Sequence, residues 1–283
     1  MLDDVIRYLR CPYCGVRVCR DGGLLRCAAG HVFDIARQGY VSLLPAGARG
    51  EHGDSAAMVQ ARADFLAAGH YAGIAAELAR AAAEVVATLE AEGCVIDVGA
   101  GTGYYLAAVV DRLPDRVGLA LDSSKFALRR AARAHERIGA VACDVWRLLP
   151  VVDSAAVVLL NIFAPRNGAE LRRIINPAGR LLVVTPTRDH LGEFVQPLGL
   201  LTIDERKDER LAEKLTPCFN LVERWEHRST LRLDHKGIAA VVAMGPSARH
   251  VNPDALAGRI AQLPNPMPTT VAVTLSTFRP SDP

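Results

Sequence analysis

CVIDVGAGTG, residues 94–103, decides how this chain folds. Cys94–Val98 is a short apolar run interrupted by one acid, Asp97, and closed by glycine, the pattern of a buried strand. Gly99, Gly101 and Gly103 then form a loop whose bare backbone can approach a charged group closely. GYYLAAVVDRL follows at helical periodicity. A strand, a glycine turn and a helix make the first unit of a doubly wound α/β fold.

Working outward, strands and helices alternate. VGLALD reads as a second strand, SKFALRRAARAHER as a helix, AVACD as a third strand and SAAVVLLNIF as a fourth. GAELRRIINPAG is a helix with a C-terminal turn, and RLLVVTP is a fifth strand. HRSTLRLD and TTVAVTLSTF, separated by the helix-like GIAAVVAMG, add the last two. The expected fold is therefore a seven-stranded, mostly parallel sheet of Rossmann-like type. Upstream, AAMVQARADFLAAGHY breaks at Gly69-His70, and GIAAELARAAAEVVATLEAEG reads as one long helix ending at Gly93. PAGARGEHGDS, residues 45–55, reads as a linker. The expected organisation is a module at 1–45, a helical cap at 46–92 and the α/β domain at 93–283.

NAD, FAD and S-adenosylmethionine folds all use a glycine triplet after the first strand. Asp97 favours the third, because a carboxylate ahead of the loop repels a phosphate and attracts a methionyl ammonium. Asp122 closes the second strand, where it can accept the ribose hydroxyls, and Asp144 follows the third, placed for the adenine amino group. Each acid could instead cap a helix, an alternative strongest for Asp122 before Ser123-Ser124. Three acids ending three successive strands favour the cofactor reading. No Lys-Ser/Thr pair completes a P-loop.

Cys11, Cys14, Cys27 and His31 read C-x2-C-x12-C-x3-H, the spacing of a closed tetrahedral zinc site. No activating Glu accompanies them, so the metal is expected to be structural. A segment of about forty residues needs such a staple. Cys19 is a competing ligand at poor spacing.

The 283 residues carry a formal charge of +2, but residues 1–50 hold seven arginines against four aspartates. That concentration suits phosphate contact or a solvated basic face. MLDDVIRYLR has acids where a signal peptide has cations, and no apolar run reaches membrane-spanning length. With seven cysteines and no disulfide pattern, the expected location is a reducing cytoplasm.

With these residues in place, the chain resembles the 23S ribosomal RNA guanine-N1 methyltransferases that act on hairpin 35. CPYCG (11–15), LRCAAGHVFDIARQGYVSLL (25–44), GDSAAMVQARADFLAAGHYAGI (53–74), DVGAGTGYYL (97–106), NIFAP (161–165) and INPAGRLLVVTPTRDHL (175–191) fall in family order across nearly the whole chain. The resemblance implies a zinc module that helps bind RNA, a class I methyltransferase domain and a homodimer whose zinc modules face one RNA. It implies cofactor contacts from Tyr71, Tyr105, Leu106 and His190; for Tyr71 and His190 ordinary packing is the alternative. Family members carry a basic run before GDS, where this chain has GARGEH, and often Tyr where it has Phe163. One branch maintains the ribosome; another, in actinobacterial macrolide producers, methylates a neighbouring guanine and protects against the drug. RQGYVSLL and the alanine- and arginine-rich composition resemble the second branch.

The expected reaction is methyl transfer to guanine N1 of a base presented out of its stack. Asn161 and Pro165 fall where class I enzymes line the acceptor pocket and are expected to position substrate; no residue is assigned as the base. Arg129, Arg130, Arg133 and Arg137 read first as a solvated helix face and second as RNA contacts. A small-molecule methyltransferase and a non-catalytic RNA-binding protein are the rival classes, and the intact acid and glycine set weighs against the latter.

Overall fold

Every residue of Cys94–Val98 and of Ala156–Ile162 is buried, as in parallel strands covered on both faces. The computed structural model describes residues 2–45, 53–200, 215–245 and 252–281, so most of the expected linker, 46–52, lies outside the described residues. In chain order the first part holds α1 (Leu2–Ile6), β1 (Val18–Asp21), β2 (Leu24–Cys27), β3 (Val32–Asp34) and β4 (Tyr40–Ser42). The helices α2 (Ala56–Ala67) and α3 (Ala72–Ala87) follow. Then come β5 (Cys94–Val98), α4 (Tyr104–Arg112), β6 (Gly118–Asp122), α5 (Lys125–Ala131), β7 (Ile138–Ala142), β8 (Ala156–Ile162), α6 (Gly168–Ile174) and β9 (Ile175–Pro186). The last part comprises α7 (Val195–Leu198), β10 (Phe219–Leu233), α8 (His235–Ala243), α9 (Pro253–Ile260) and β11 (Met267–Pro280).

β1, β2 and β3 form a small antiparallel sheet, and the other strands form one large sheet in the order β10-β11-β9-β8-β5-β6-β7-β4. β4 to β9 pair in parallel, while β10 and β11 run antiparallel at the edge. This is the class I methyltransferase architecture, with eight strands rather than the expected seven. The additional strand is Tyr40–Ser42, which the sequence places in the metal module. Tyr40 pairs with Ala140 and Ser42 with Ala142, and Val41 and Leu43 point into the core. The strand order reverses between β5 and β8, so the carboxyl ends of these two strands flank the crevice where such folds bind ligands.

Side-chain alternation divides the core. Val95, Val158 and Leu160 face α3 and α4, with Ile74, Leu78, Val109 and Val110. Cys94, Ile96 and Leu159 face the opposite way and share one cluster with Leu2, Val5, Leu9, Leu25 and Phe33 of the head. The metal module is therefore packed onto the sheet. Arg10 N–H donates to Pro150, Val152 N–H donates to Tyr8, and Leu9 bridges Val151.

Three helix ends differ from expectation, the first being α5, which stops at Ala131 although SKFALRRAARAHER extends to Arg137. α3 stops at Ala87, where Thr88 turns its hydroxyl onto the Val85 carbonyl; the segment to Gly93 is instead held by Arg116, which donates to the Ala91 and Gly93 carbonyls. Strand β9 begins at Ile175, so INPAG is part of a strand and not a helix terminus. Among the described residues no helix is long and apolar enough to cross a membrane.

Candidate functional site

The glycine loop is built by its neighbours. Gly99 has φ +86°, and a Cβ there would lie 2.4 Å from Ala164 Cβ. Gly103 has φ +80°, and its Cβ would lie 3.0 Å from Ala131 Cα. Only glycine meets both demands without strain. Asp122 fastens the loop: its two carboxylate oxygens accept Gly101 N–H and Ser124 N–H, each at 2.8 Å. Both oxygens keep further acceptor capacity.

Asp97 lies in the floor, and its Oδ1 is buried with no hydrogen-bond partner. Burial first, and then the neighbouring Asp122, push the Asp97 carboxyl up to about 8. Burial also raises Asp122, against the two amide bonds that lower it. Asp144 lies two residues beyond β7; its Oδ1 accepts Trp146 N–H and its Oδ2 lies 3.4 Å from Arg147 Nε. Asn161 is fully buried at the end of β8, and its side-chain N–H groups donate to the Val98 and Pro165 carbonyls, both at 3.0 Å. Its Oδ1, like Asp97 Oδ1, is a buried acceptor without a partner in this site. Asn161 thus fixes the turn carrying Pro165, whose ring is exposed.

An aromatic wall stands across this floor. Phe163, with φ +52° and 40% exposure, has ring contacts to Tyr71 (6.1 Å), Tyr105 (6.5 Å) and His190 (6.0 Å, nearly parallel). Tyr71 Oη lies 3.0 Å from His190 Nε2. Burial raises both tyrosine hydroxyls above their ordinary range. The structure thus brings Tyr71, Asp97, Tyr105, Asn161 and His190 to the carboxyl ends of β5, β8 and β9. The Leu106 side chain is fully buried and would contact a Cβ at Gly118, so any contact it makes to a cofactor runs through its backbone.

One feature escaped the sequence, and a second was named there without a role. Arg62 of α2 pairs with Asp54, donates to the Met244 carbonyl, and would lie 3.5 Å from a Cβ at Gly101. Phe163 is the hub of the aromatic wall, and its only signal in the sequence is its place in NIFAP.

At the head, Cys11 Sγ is 3.5 Å and Cys27 Sγ 3.4 Å from His31 Nδ1, and Cys14 Sγ is 3.6 Å from Cys27 Sγ. All four donor atoms lie within 4.8 Å of one another. Bonds of about 2.3 Å to sulfur give a tetrahedron with edges of roughly 3.8 Å, so the set fits zinc. Burial raises the Cys27 thiol, but bonds from His31, Cys14 and Ala29 outweigh it and bring it down to about 6, toward the thiolate a metal needs. Cys19 is exposed on β1 and outside the cluster. The cationic surplus of the head is partly spent: Arg20 pairs with Asp3, Arg26 with Asp21 and Arg10 with Asp153.

Residues 9–50 match the family model described as the N-terminal zinc ribbon of RlmA. The 23S rRNA (guanine(748)-N(1))-methyltransferase of Streptomyces fradiae is 50% identical over 280 residues, covering 99% of both chains. The chain belongs to the 23S rRNA guanine-N1 methyltransferase family. A Micromonospora griseorubida protein provisionally named for the same reaction is also 50% identical, over 99% of this chain and 100% of its own. A provisionally assigned methyltransferase of Bacillus halodurans, solved as a crystal structure, is 15% identical with a TM-score of 0.48, over 70% of this chain and 97% of its own. For this family member, Asp97 Oδ1 and Asn161 Oδ1 are the test of fit. An unpaired buried acceptor costs about 1–3 kcal/mol, and the ammonium of S-adenosylmethionine supplies donors to such a floor.

Proposed function

We propose that this chain transfers the methyl group of S-adenosylmethionine to N1 of a guanine in hairpin 35 of 23S rRNA, and that the product protects the ribosome against macrolides of the tylosin and mycinamicin type. The observation that carries the reading is the orphaned Asp97 carboxylate beneath a glycine loop, in a chain half identical over its full length to an enzyme named for guanine 748. We carry that position to this chain. Bound in the crevice, S-adenosylmethionine supplies a methyl group activated by its sulfonium.

The chain's own residues do the rest. Asp97 takes the ammonium, Asp122 the ribose, Asp144 the adenine, and Gly99, Gly101 and Gly103 let the cofactor lie against the backbone; Tyr105 and Leu106 close its inner side. Asn161 and Pro165 set the edge of the acceptor pocket, and the Tyr71–His190 pair and Phe163 wall it from water. Holding guanine N1 in line with the methyl group supplies much of the rate, and N1 gives up its proton to water as it gains the methyl group. Residues 1–45 form the RNA-recognition module, 46–92 the cap and 93–283 the catalytic domain, working as a homodimer in the cytoplasm.

Methylation at N1 blocks the Watson–Crick edge, so primer extension across hairpin 35 tests the reading directly. A cofactor-dependent stop at the position named for the Streptomyces fradiae enzyme is expected. A stop at the adjoining guanine indicates the maintenance reaction, and no stop anywhere in the hairpin overturns the proposal.

A further inference from the structure

Helix α5 carries an uncompensated charge. From Lys125 to His135 the chain has four exposed cations, Lys125, Arg129, Arg130 and Arg133, and no acid. Among the described residues no carboxylate pairs with any of them. Arg137, beyond the end of the helix, is a different case. It donates to the Val110, Leu113, Pro114 and Arg116 carbonyls at 2.6–2.8 Å and serves the fold. The four cations on α5 and the turn after it make no such bonds to main chain, and clustering like charges costs stability unless something compensates it.

These residues form one wall of a groove. Phe126, Arg129 and Arg130 of α5 and Arg133 of the turn after it face Val59 and Gln60 of α2. The Arg129 guanidinium sits 5.6 Å from the Phe126 ring centre and Lys125 Nζ 5.2 Å from it. Arg130 donates to Gln60 Oε1, and the Gln60 amide donates onward to Asp64. Lys125 and Arg129 lie one turn apart on α5, about 6 Å along the helix axis, and Arg133 follows in the turn just past its end.

The groove also connects two sites. At one end Ser124, the N-cap of α5, donates its Oγ–H to the Asp54 carbonyl and its N–H to Asp122, so the helix that walls the groove starts beside the acid that fastens the cofactor loop. At the other end a Cβ on Gly39 would lie 3.7 Å from Ala132 Cβ, which sets the head segment holding exposed Arg37 against the end of α5.

We propose that the α2–α5 groove seats the phosphodiester backbone of the RNA substrate, along a basic strip from the metal head to the methyl-transfer crevice. The proposal rests on the rRNA reading above. The Arg129 and Arg133 guanidinium groups, which have no protein acceptor among the described residues, match phosphate oxygens, and the half-buried Phe126 ring lies beside them.

The test uses the full-length, zinc-loaded chain and an rRNA hairpin, comparing wild type with Arg129→Ala/Arg133→Ala and Arg129→Lys/Arg133→Lys. RNA affinity is measured over a salt series by filter binding, separately from methylation, and S-adenosylmethionine affinity by calorimetry. Removing two phosphate contacts should flatten the slope of log K against log salt by about 1.4 for single-stranded RNA. KM for RNA should rise at least tenfold with kcat and cofactor affinity retained, and the lysine pair should restore most of the slope. An unchanged slope in the alanine pair overturns the proposal. So does a parallel loss of cofactor affinity, because the effect would then run through the Ser124–Asp122 turn. If wild type binds the hairpin with the expected slopes but never methylates it, the groove stands and the proposed reaction fails.

Discussion

His190 Nδ1 accepts the amide proton of Ala272 at 3.2 Å, which puts the ring proton on Nε2, 3.0 Å from the Tyr71 hydroxyl. The tautomer is set by the backbone of β11 and determines who donates to whom: the imidazole gives and the phenol oxygen receives. Two segments 119 residues apart, GHY and TPTRDHL, are thereby joined at the crevice.

Replacing Tyr71 with Phe keeps the ring and its packing against Phe65 and Phe163 but leaves Nε2–H without its acceptor. A polar group stripped of its partner costs about 1–3 kcal/mol, and each kcal/mol lowers Tm by about 2–4 °C in a chain of this size. Tyr71→Phe and His190→Ala should therefore each lower Tm in a thermal scan. The double variant should fall short of the sum by about 1 kcal/mol, since both remove one bond. Additive losses would contradict the pairing.

The Asp97 carboxyl is held up to about 8 by burial, and an ammonium ligand binds its ionised form. Below pH 8 binding must therefore expel a proton, so cofactor affinity should rise with pH, by at most tenfold per unit, and level off above about 8. Calorimetry in buffers of differing ionisation enthalpy should detect close to one proton released near pH 7. Asp97→Asn should bind more weakly and without that pH dependence. In the free protein the same shift has the opposite consequence. The unfolded chain ionises near pH 4 while the fold keeps the proton, so this group's contribution is full below pH 4 and is lost as pH rises to about 8. A cofactor affinity that is flat from pH 6 to 9 would remove Asp97 from the site.

Gly99→Ala should be the most damaging small change in the loop. It combines a φ of +86° with a Cβ placed 2.4 Å from Ala164 Cβ, whereas at Gly101, also at positive φ, the nearest atom is the movable end of Arg62 at 3.5 Å. Gly99→Ala should abolish measurable cofactor binding by displacing the 161–165 turn. Gly101→Ala should weaken binding about tenfold or less, the strain alone costing about 1 kcal/mol. Equal effects would mean that the contact between the loop and Ala164 does not matter.

The alternation of strand and helix was legible from Cys94 to Phe278 because parallel strands buried on both faces give unbroken apolar runs that flanking glycines delimit. The four metal ligands were legible for a different reason, since thiolate geometry imposes its spacing on the chain. The segment holding Tyr40–Ser42 reads as strand-like but closes the metal module in the sequence; its pairing with β7 in the large sheet is a long-range fact that no local pattern carries. Asp54–Arg62 was missed because a pair eight residues apart spans a helix N-terminus, where no fixed repeat applies. The arginines of α5 show the limit most clearly. Sequence spacing gave Arg129, Arg133 and Arg137 one helical stripe, yet the helix ends at Ala131 and Arg137 turns inward to cap four carbonyls.

Metal removal separates the staple from the sheet. Cys11, Cys14, Cys27 and His31 hold together β1, β2 and β3, whose small sheet has only Leu25, Val18 and Phe33 among its buried apolar strand residues besides the ligand Cys27. β4 is anchored elsewhere, by Ala140, Val141 and Ala142 of β7. A strong chelator, or Cys11→Ser, should release one zinc per chain and unfold residues 9–34, making the Arg20 and Arg26 peptide bonds sensitive to trypsin. The methyltransferase sheet should persist, with cofactor affinity within about threefold of the metal-loaded value, because no ligand residue approaches Asp97 or the glycine loop. RNA affinity should fall by tenfold or more as the head's share of the contact is lost. The decisive comparison is the cofactor titration after chelation: if it disappears together with the zinc, the head and the crevice are one cooperative unit, and the shared core of Leu9, Phe33, Ile96 and Leu159 matters more than the strand pairing of β4.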